Sequence, residues 1–450
     1  MPEQNLETYV MTGSVKVIER FFDLPLNYDD PDGQKIRVFA RSLVPLVKAK
    51  TPEDEAKLPY LVYLQGGPGF EVELDRCLSI AAVIHNHGYQ TLWLDPRGTG
   101  LSTPFSADLV SDKTDEEIFQ YLKHFRADNI VRDCEAIRKI LLGSRLDEDS
   151  RKWTILGQSF GGFCALTYLS FHPDGLKEVF ITAGIPPLFD SPDPAYRLTE
   201  RRVLQRNGVY YAKYPADVKR VRDILAFLDT NQVRLPNGGN LSPNRFLQLG
   251  INFGMQGGID TVHQIVFRAT NDLALFGKLS YRLLQNIEQM QSLDSNPIYA
   301  VLHEAIYCQG HAANWSAERV LKEYPQHSWN HMKNQDATSP VYFFGEMVFP
   351  DMLDDYSNLR PLKGAAQLLA EYKDWPPLYD IKQLANNPVE VTAASYFDDM
   401  YVDFNAAQDT AAVVKNLVQY ISNEHHHSAL RKEPQVILNK LFQLSKREYD

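Results

Sequence analysis

Five residues, Gly157-Gln158-Ser159-Phe160-Gly161, followed by a further glycine at Gly162, constrain this chain more than any other stretch. Ahead of them, Trp153-Thr154-Ile155-Leu156 reads as a short apolar strand, and behind them Phe163 to Leu169 reads as the start of an apolar helix. The pattern G-x-S-x-G between a strand and a helix is a turn so sharp that its serine takes a strained backbone, and its glycines stand where any side chain would collide. The serine hydroxyl is then held at the carboxyl end of a strand, above a helix N-terminus, where it can act as a nucleophile. The plain alternative for Ser159 is a helix N-cap.

Other stretches fit the same frame. Leu61-Val62-Tyr63-Leu64 is a second apolar strand and runs into Gln65-Gly66-Gly67-Pro68-Gly69. Backbone N–H groups in such a loop can approach a developing oxyanion, so Gly67, or Gly66, is expected to donate together with Phe160. A third strand, Thr91–Leu94, ends in Asp95-Pro96-Arg97-Gly98-Thr99-Gly100-Leu101-Ser102, where Asp95 and Arg97 are expected to pair and brace the loops. Far downstream, a strand-like segment from Val389 leads to Tyr396-Phe397-Asp398-Asp399, and Leu417 to Ser422 precedes His425-His426-His427. Serine, then acid, then histidine is the order found on α/β sheets rather than in the other serine hydrolase folds. The residues themselves leave Asp398, Asp399 and Asp403 open as the acid, and His425 and His427 as the base.

Strands alternate with helices up to Val179–Thr182, which implies a mostly parallel twisted sheet with helices on both faces. Asp115 to Leu142 reads as one long helix from its apolar spacing. Alternating segments between Gly13 and Pro45 read as opening antiparallel strands. Beyond Pro186-Pro187 the alternation stops, and the chain is helix-rich and aromatic until Val389. The expected organisation is therefore a sheet core over 1–187, a helical cap over 188–385 and the rest of the core over 386–450, closed by a helix from Pro434 to Leu444.

Composition excludes several functions. A formal net charge of −11 argues against a nucleic-acid surface and suits cationic substrates such as free amines. The four cysteines, Cys77, Cys134, Cys164 and Cys308, are scattered, so neither a zinc site nor a disulfide framework is expected. No apolar run of about 18 residues suggests a membrane span. The polar start, Met1 to Glu7, does not read as a secretory leader, so a cytoplasmic enzyme is expected. Nothing in the sequence sets an oligomeric state.

The combination of motifs resembles the proline iminopeptidases, or prolyl aminopeptidases, in their longer-chain form. Gln65 to Gly69 resembles that family's H-G-G-P-G loop, with glutamine in place of the opening histidine, and Asp95 to Ser102 its D-x-R-G-x-G-x-S turn. Gly157 to Gly162 is similar to its elbow, and Leu302 to Cys308 to its histidine-glutamate cap segment. Gly345-Glu346-Met347 is similar to its G-E-M segment, Asp398 to Asp403 to its D-D-M-Y-V-D segment, and Asn423 to His427 to its N-E-x-x-H ending. The resemblance spans nearly the whole chain. It implies an α/β-hydrolase fold with a large helical cap, and a triad of Ser159, His427 and Asp399, favoured over His425 and over Asp398 and Asp403. It implies no cofactor or metal, and short peptides with a free N-terminal proline as substrates. Glu304 and Glu346, each set among apolar residues, are expected to bind the substrate's ammonium, since a desolvated cation needs carboxylate partners. A salt bridge inside the cap is their structural alternative. The aromatics Tyr307, Phe344 and Phe349 would suit the proline ring. An esterase or amidase on the same frame is the second reading, and it would have no use for two buried acids.

Overall fold

The computed structural model describes residues 3–447. Met1 and Pro2, part of the polar start, lie outside them. Nine strands form one sheet: β1 (Glu3–Met11), β2 (Val15–Pro25), β3 (Lys35–Pro45), β4 (Tyr60–Leu64), β5 (Gln90–Leu94), β6 (Trp153–Gln158), β7 (Leu176–Thr182), β8 (Glu390–Tyr396) and β9 (Leu417–Ser422). Their order is β1-β2-β3-β5-β4-β6-β7-β8-β9. The first three and β5 pair antiparallel, and β5 through β9 pair parallel. All strands of the parallel part therefore end on one edge, and the loops after β4, β6, β8 and β9 gather there. The opening meander exceeds the sequence expectation by a whole strand, β1, which pairs antiparallel with β2 and sets Tyr9 and Met11 against the second core.

The short central strands are continuous apolar runs because both of their faces are covered. In β4, Tyr60, Val62 and Leu64 enter one hydrophobic core while Leu61 and Tyr63 enter the other. The first core takes in the helix Phe160–Phe171 that leaves β6, and the second the helices Leu74–Asn86 and Pro434–Ser445. Between β7 and β8 the chain is helical from Pro192 to Ala385, and apolar residues of this cap, such as Phe253 and Phe343, belong to the same cluster as the first core. Among the described residues, no helix is long and apolar enough to cross a membrane.

Two expectations are corrected. The stretch from Asp115 to Leu142 forms two helices, Asp115–Leu122 and Ala127–Leu142. At the break Arg126 is extended and buried, and its guanidinium donates to the carbonyls of Ala305 (2.9 Å), Cys308 (2.7 Å) and Pro376 (2.8 Å) while resting 4.4 Å from the Trp375 ring. Helix spacing survives the break, but the backbone gives up a turn so that one arginine can pin the cap to the core. Arg97 does not pair with Asp95. It meets the Asp133 carboxylate through two bonds of 2.8 and 2.6 Å, in full burial. Asp95 instead accepts from Val72 N–H (2.8 Å) and Leu101 N–H (3.0 Å), tying the loop after β4 to the turn after β5, and burial pushes its carboxyl up to about 6.

Arg126→Ala removes a charged donor from the buried carbonyls of Ala305 and Cys308 and from the part-buried one of Pro376. It is expected to cost about 3 kcal/mol or more of stability, read from the midpoint of urea unfolding. Arg126→Lys should recover only part, since an ammonium cannot fan across three acceptors as a planar guanidinium does.

Candidate active site

Ser159 joins β6 to its helix with φ 56° and ψ −124°, a backbone that L residues rarely adopt. Close approach on every side enforces it. A Cβ on Gly161 would stand 1.9 Å from the Leu64 carbonyl oxygen, and one on Gly157 would stand 2.3 Å from the carbonyl oxygen of Gly161. The elbow therefore presses directly against the end of β4, which brings the Gln65–Gly69 loop beside the serine.

The loops after β8 and β9 complete the arrangement. His427 Nε2 lies 2.9 Å from Ser159 Oγ, and His427 Nδ1 lies 2.8 Å from Asp399 Oδ2. With Asp399 accepting from Nδ1–H, Nε2 is left to take the serine proton, so the hydroxyl has a positioned base. The second Asp399 oxygen accepts from Tyr401 N–H (2.8 Å) and Val402 N–H (3.1 Å), which fixes the carboxylate in burial. The Tyr401 ring stands edge-on to the His427 ring at 4.5 Å, and its hydroxyl is anchored on the Ile251 carbonyl.

The rival residues have other places. Asp403 caps the helix Phe404–Val413 by accepting from Asn405 and Ala406 N–H. Asp398 is half-buried, 3.8 Å from Arg202. His425 packs edge-on to Tyr396. Burial lowers the pKa of His426, and among the described residues no group of His, Cys, Asp and Glu is arranged to hold a metal ion.

The three expected oxyanion donors separate. Phe160 N–H opens the helix and so has no acceptor within it. Gly67, at φ 128°, lines the cavity in front of the serine. Gly66 departs from expectation, because its N–H donates to the side chain of Gln65 (3.1 Å). That glutamine also accepts from Tyr63 hydroxyl (3.2 Å) and donates to the Glu71 carbonyl (2.6 Å), so it holds the loop by hydrogen bonds.

A cavity of about 530 Å³ opens over Ser159 and His427 between core and cap. Glu346 is on its wall and Glu304 is not. The Glu304 carboxylate accepts from Ser316 N–H (3.0 Å) and Ala317 N–H (2.8 Å), at the start of the helix Ser316–Leu321. A carboxylate is favoured at a helix N-terminus, yet burial still pushes Glu304 up to about 7. Glu346 keeps 21% of its side chain exposed, and it accepts from Tyr299 hydroxyl (2.9 Å). Burial works against its charge, but His303, His427 and Tyr299 together hold its carboxyl below the usual range. The aromatics are also redistributed. Phe344 and Phe349 border a separate groove beside Trp329, and Tyr307 packs on Phe163. The catalytic cavity is lined instead by Phe70 and Tyr299, edge to face at 5.5 Å, and by Met347. Phe70 directly follows the glycine-rich loop, a position that could have flagged it in the sequence.

Residues 59–236 match the model of the alpha/beta hydrolase fold family. A proline iminopeptidase from Aspergillus aculeatus is 40% identical over 439 residues, covering 97% of this chain and 95% of that protein. One from Aeromonas sobria is 39% identical, covering 97% and 98%. The chain belongs to the proline iminopeptidase family. A solved proline iminopeptidase from Mycobacterium smegmatis is 15% identical, covering 95% of this chain and 98% of that one at a TM-score of 0.43, an overlay too loose to carry weight. Family membership accounts for the joint presence of elbow, glycine-rich loop and cap.

Asp399→Asn should leave the fold intact and lower kcat on the order of ten-thousandfold, because an amide can donate to Nδ1 and so stabilise the wrong imidazole tautomer. Steady-state kinetics beside a circular dichroism spectrum checks both halves.

Proposed function

We propose that this protein is a serine exopeptidase that releases an N-terminal proline from short peptides through an acyl-enzyme. Ser159 Oγ attacks the carbonyl carbon of the first residue as His427 Nε2 takes its proton. Phe160 N–H and Gly67 N–H receive the developing oxyanion. The C–N bond breaks as His427 returns the proton to the departing amine, and the prolyl group remains as an ester on Ser159. Water, deprotonated by His427, then attacks the ester, and proline leaves as the serine regains its proton. No metal or cofactor takes part.

The observation that carries this reading is Glu346, a partly exposed carboxylate on the wall of the cavity that holds Ser159 and His427. An esterase for neutral substrates has no use for a fixed negative charge there, whereas an aminopeptidase must hold an ammonium beside the scissile bond. Phe70 and Tyr299 supply an apolar wall for the proline ring. The cap over the cavity limits entry to free, slender chain ends. The four buried, unpaired cysteines fit a reducing compartment, and we place the enzyme in the cytoplasm.

A panel of aminoacyl-naphthylamides, with an amine-free ester of matched size, tests the proposal. The wild type should prefer the prolyl compound and Ser159→Ala should lose it. Glu346→Gln should lower kcat/KM for prolyl-naphthylamide by roughly 10- to 100-fold, the worth of one hydrogen bond to a charged group, and leave the ester within a few-fold. Ester turnover without cleavage of any aminoacyl amide would sink the reading.

A further inference from the structure

Glu346 is one member of a buried chain of polar groups that the triad does not use. Its Oε2 lies 3.9 Å from His303 Nε2, and His303 Nδ1 lies 3.1 Å from the hydroxyl of Tyr196, on the helix Pro192–Lys213. His303 is only 2% exposed, and its ring packs 4.8 Å from that of Tyr299, whose hydroxyl holds the other Glu346 oxygen. The carboxylate therefore faces the catalytic cavity on one side and a buried imidazole on the other.

The groups facing this pair from neighbouring elements define its charge. Tyr196, Tyr299 and Tyr307 are pushed well up by burial and stay neutral, as does Tyr401 across the cavity. His427 lies on the triad side, and its attraction helps keep Glu346 ionised. Glu304 is next to His303 in the chain but is tied to the N–H groups of Ser316 and Ala317. Among the described residues, His303 is thus the group on the buried side of Glu346 that can carry a compensating positive charge. With His303 protonated, the pair is neutral. A substrate ammonium added to it would leave a net positive charge in a place where an unbalanced charge is costly.

We propose that His303 is a proton-linked counter-ion of the amine subsite: it neutralises Glu346 before substrate binds, and it releases its proton to solvent when the substrate's ammonium takes its place. His303 touches neither the reacting atoms nor the substrate and is a positioning residue. The proposal rests on Glu346 being the amine acceptor. Its consequence is directional. At low pH the substrate must displace a proton from His303, so binding weakens. As pH rises, that competition disappears and KM for the amine substrate falls.

The test compares acid limbs of kcat/KM for prolyl-naphthylamide and for the matched amine-free ester. In the wild type the ester should lose about tenfold per pH unit, from protonation of His427 alone. The prolyl compound should lose about a hundredfold per unit, from two protons, with the extra tenfold in KM and not in kcat. His303→Gln should reduce the prolyl limb to the ester's slope while the ester profile stays in place, which also shows that the variant folds. A second readout needs no turnover. L-prolinamide binding to Ser159→Ala, titrated calorimetrically in buffers of different ionisation enthalpy, should release about one proton more per site than it does to Ser159→Ala/His303→Gln. Equal wild-type slopes for the two substrates would overturn the proposal even if His303→Gln failed to fold. So would loss of the second proton in Glu304→Gln rather than in His303→Gln. If prolyl-naphthylamide is not cleaved, or if Glu346→Gln leaves its KM unchanged, the aminopeptidase reading fails first. Failure of the His303 step alone leaves that reading standing.

Discussion

The contact between Gly161 and the carbonyl of Leu64 is the constraint on which the rest depends. A main-chain atom at the start of one helix lies against the end of a neighbouring strand with no room for a methyl group between them. That closeness sets the backbone of Ser159, sets the glycine-rich loop beside it, and places the helix N-terminus under the hydroxyl. Parallel pairing does the rest, because β4, β6, β8 and β9 all end on the same edge. Side chains from four separate loops converge without any loop being long. The strain at φ 56° is maintained by the packed sheet around it.

Several carboxylates near this edge differ in task because their surroundings differ. Asp399 is saturated by two backbone N–H groups and an imidazole, so it can orient a base but cannot receive a substrate. Asp95 has its oxygens on Val72 and Leu101 and serves as a brace. Glu304 is consumed by a helix start. Glu346 alone among these four reaches the cavity wall, with a tyrosine and a histidine behind it. The burial that would otherwise neutralise it is offset by those neighbours.

What was legible in the sequence was whatever is encoded locally. The elbow, the apolar runs of β4 to β7 and the order of serine, acid and histidine all show within a few residues, because a tight turn and a doubly covered strand each demand a composition of their own. Side-chain partners chosen across long separations were not legible. Arg97 prefers Asp133, 36 positions away, to Asp95 two positions away. Arg126 bonds to Ala305 and Cys308 across 179 and 182 positions, and the helix break that allows it leaves the apolar spacing intact. Glu304 and Glu346 look alike as acids among apolar neighbours, and only the placement of Ser316 and Ala317 separates a helix cap from a cavity wall. Gly66 and Gly67 also look alike as donors, and only the Gln65 side chain on the Gly66 N–H sets them apart.

The serine and its base are 268 positions apart, and the whole cap lies between them. On the ribosome, the strand and helix that shape the elbow emerge long before the histidine loop. Until that loop follows, the hydroxyl has nothing to deprotonate it. Hydrolytic competence thus waits on the histidine loop, which is made only after the whole cap. The insertion between β7 and β8 therefore separates the making of the nucleophile from the making of its base.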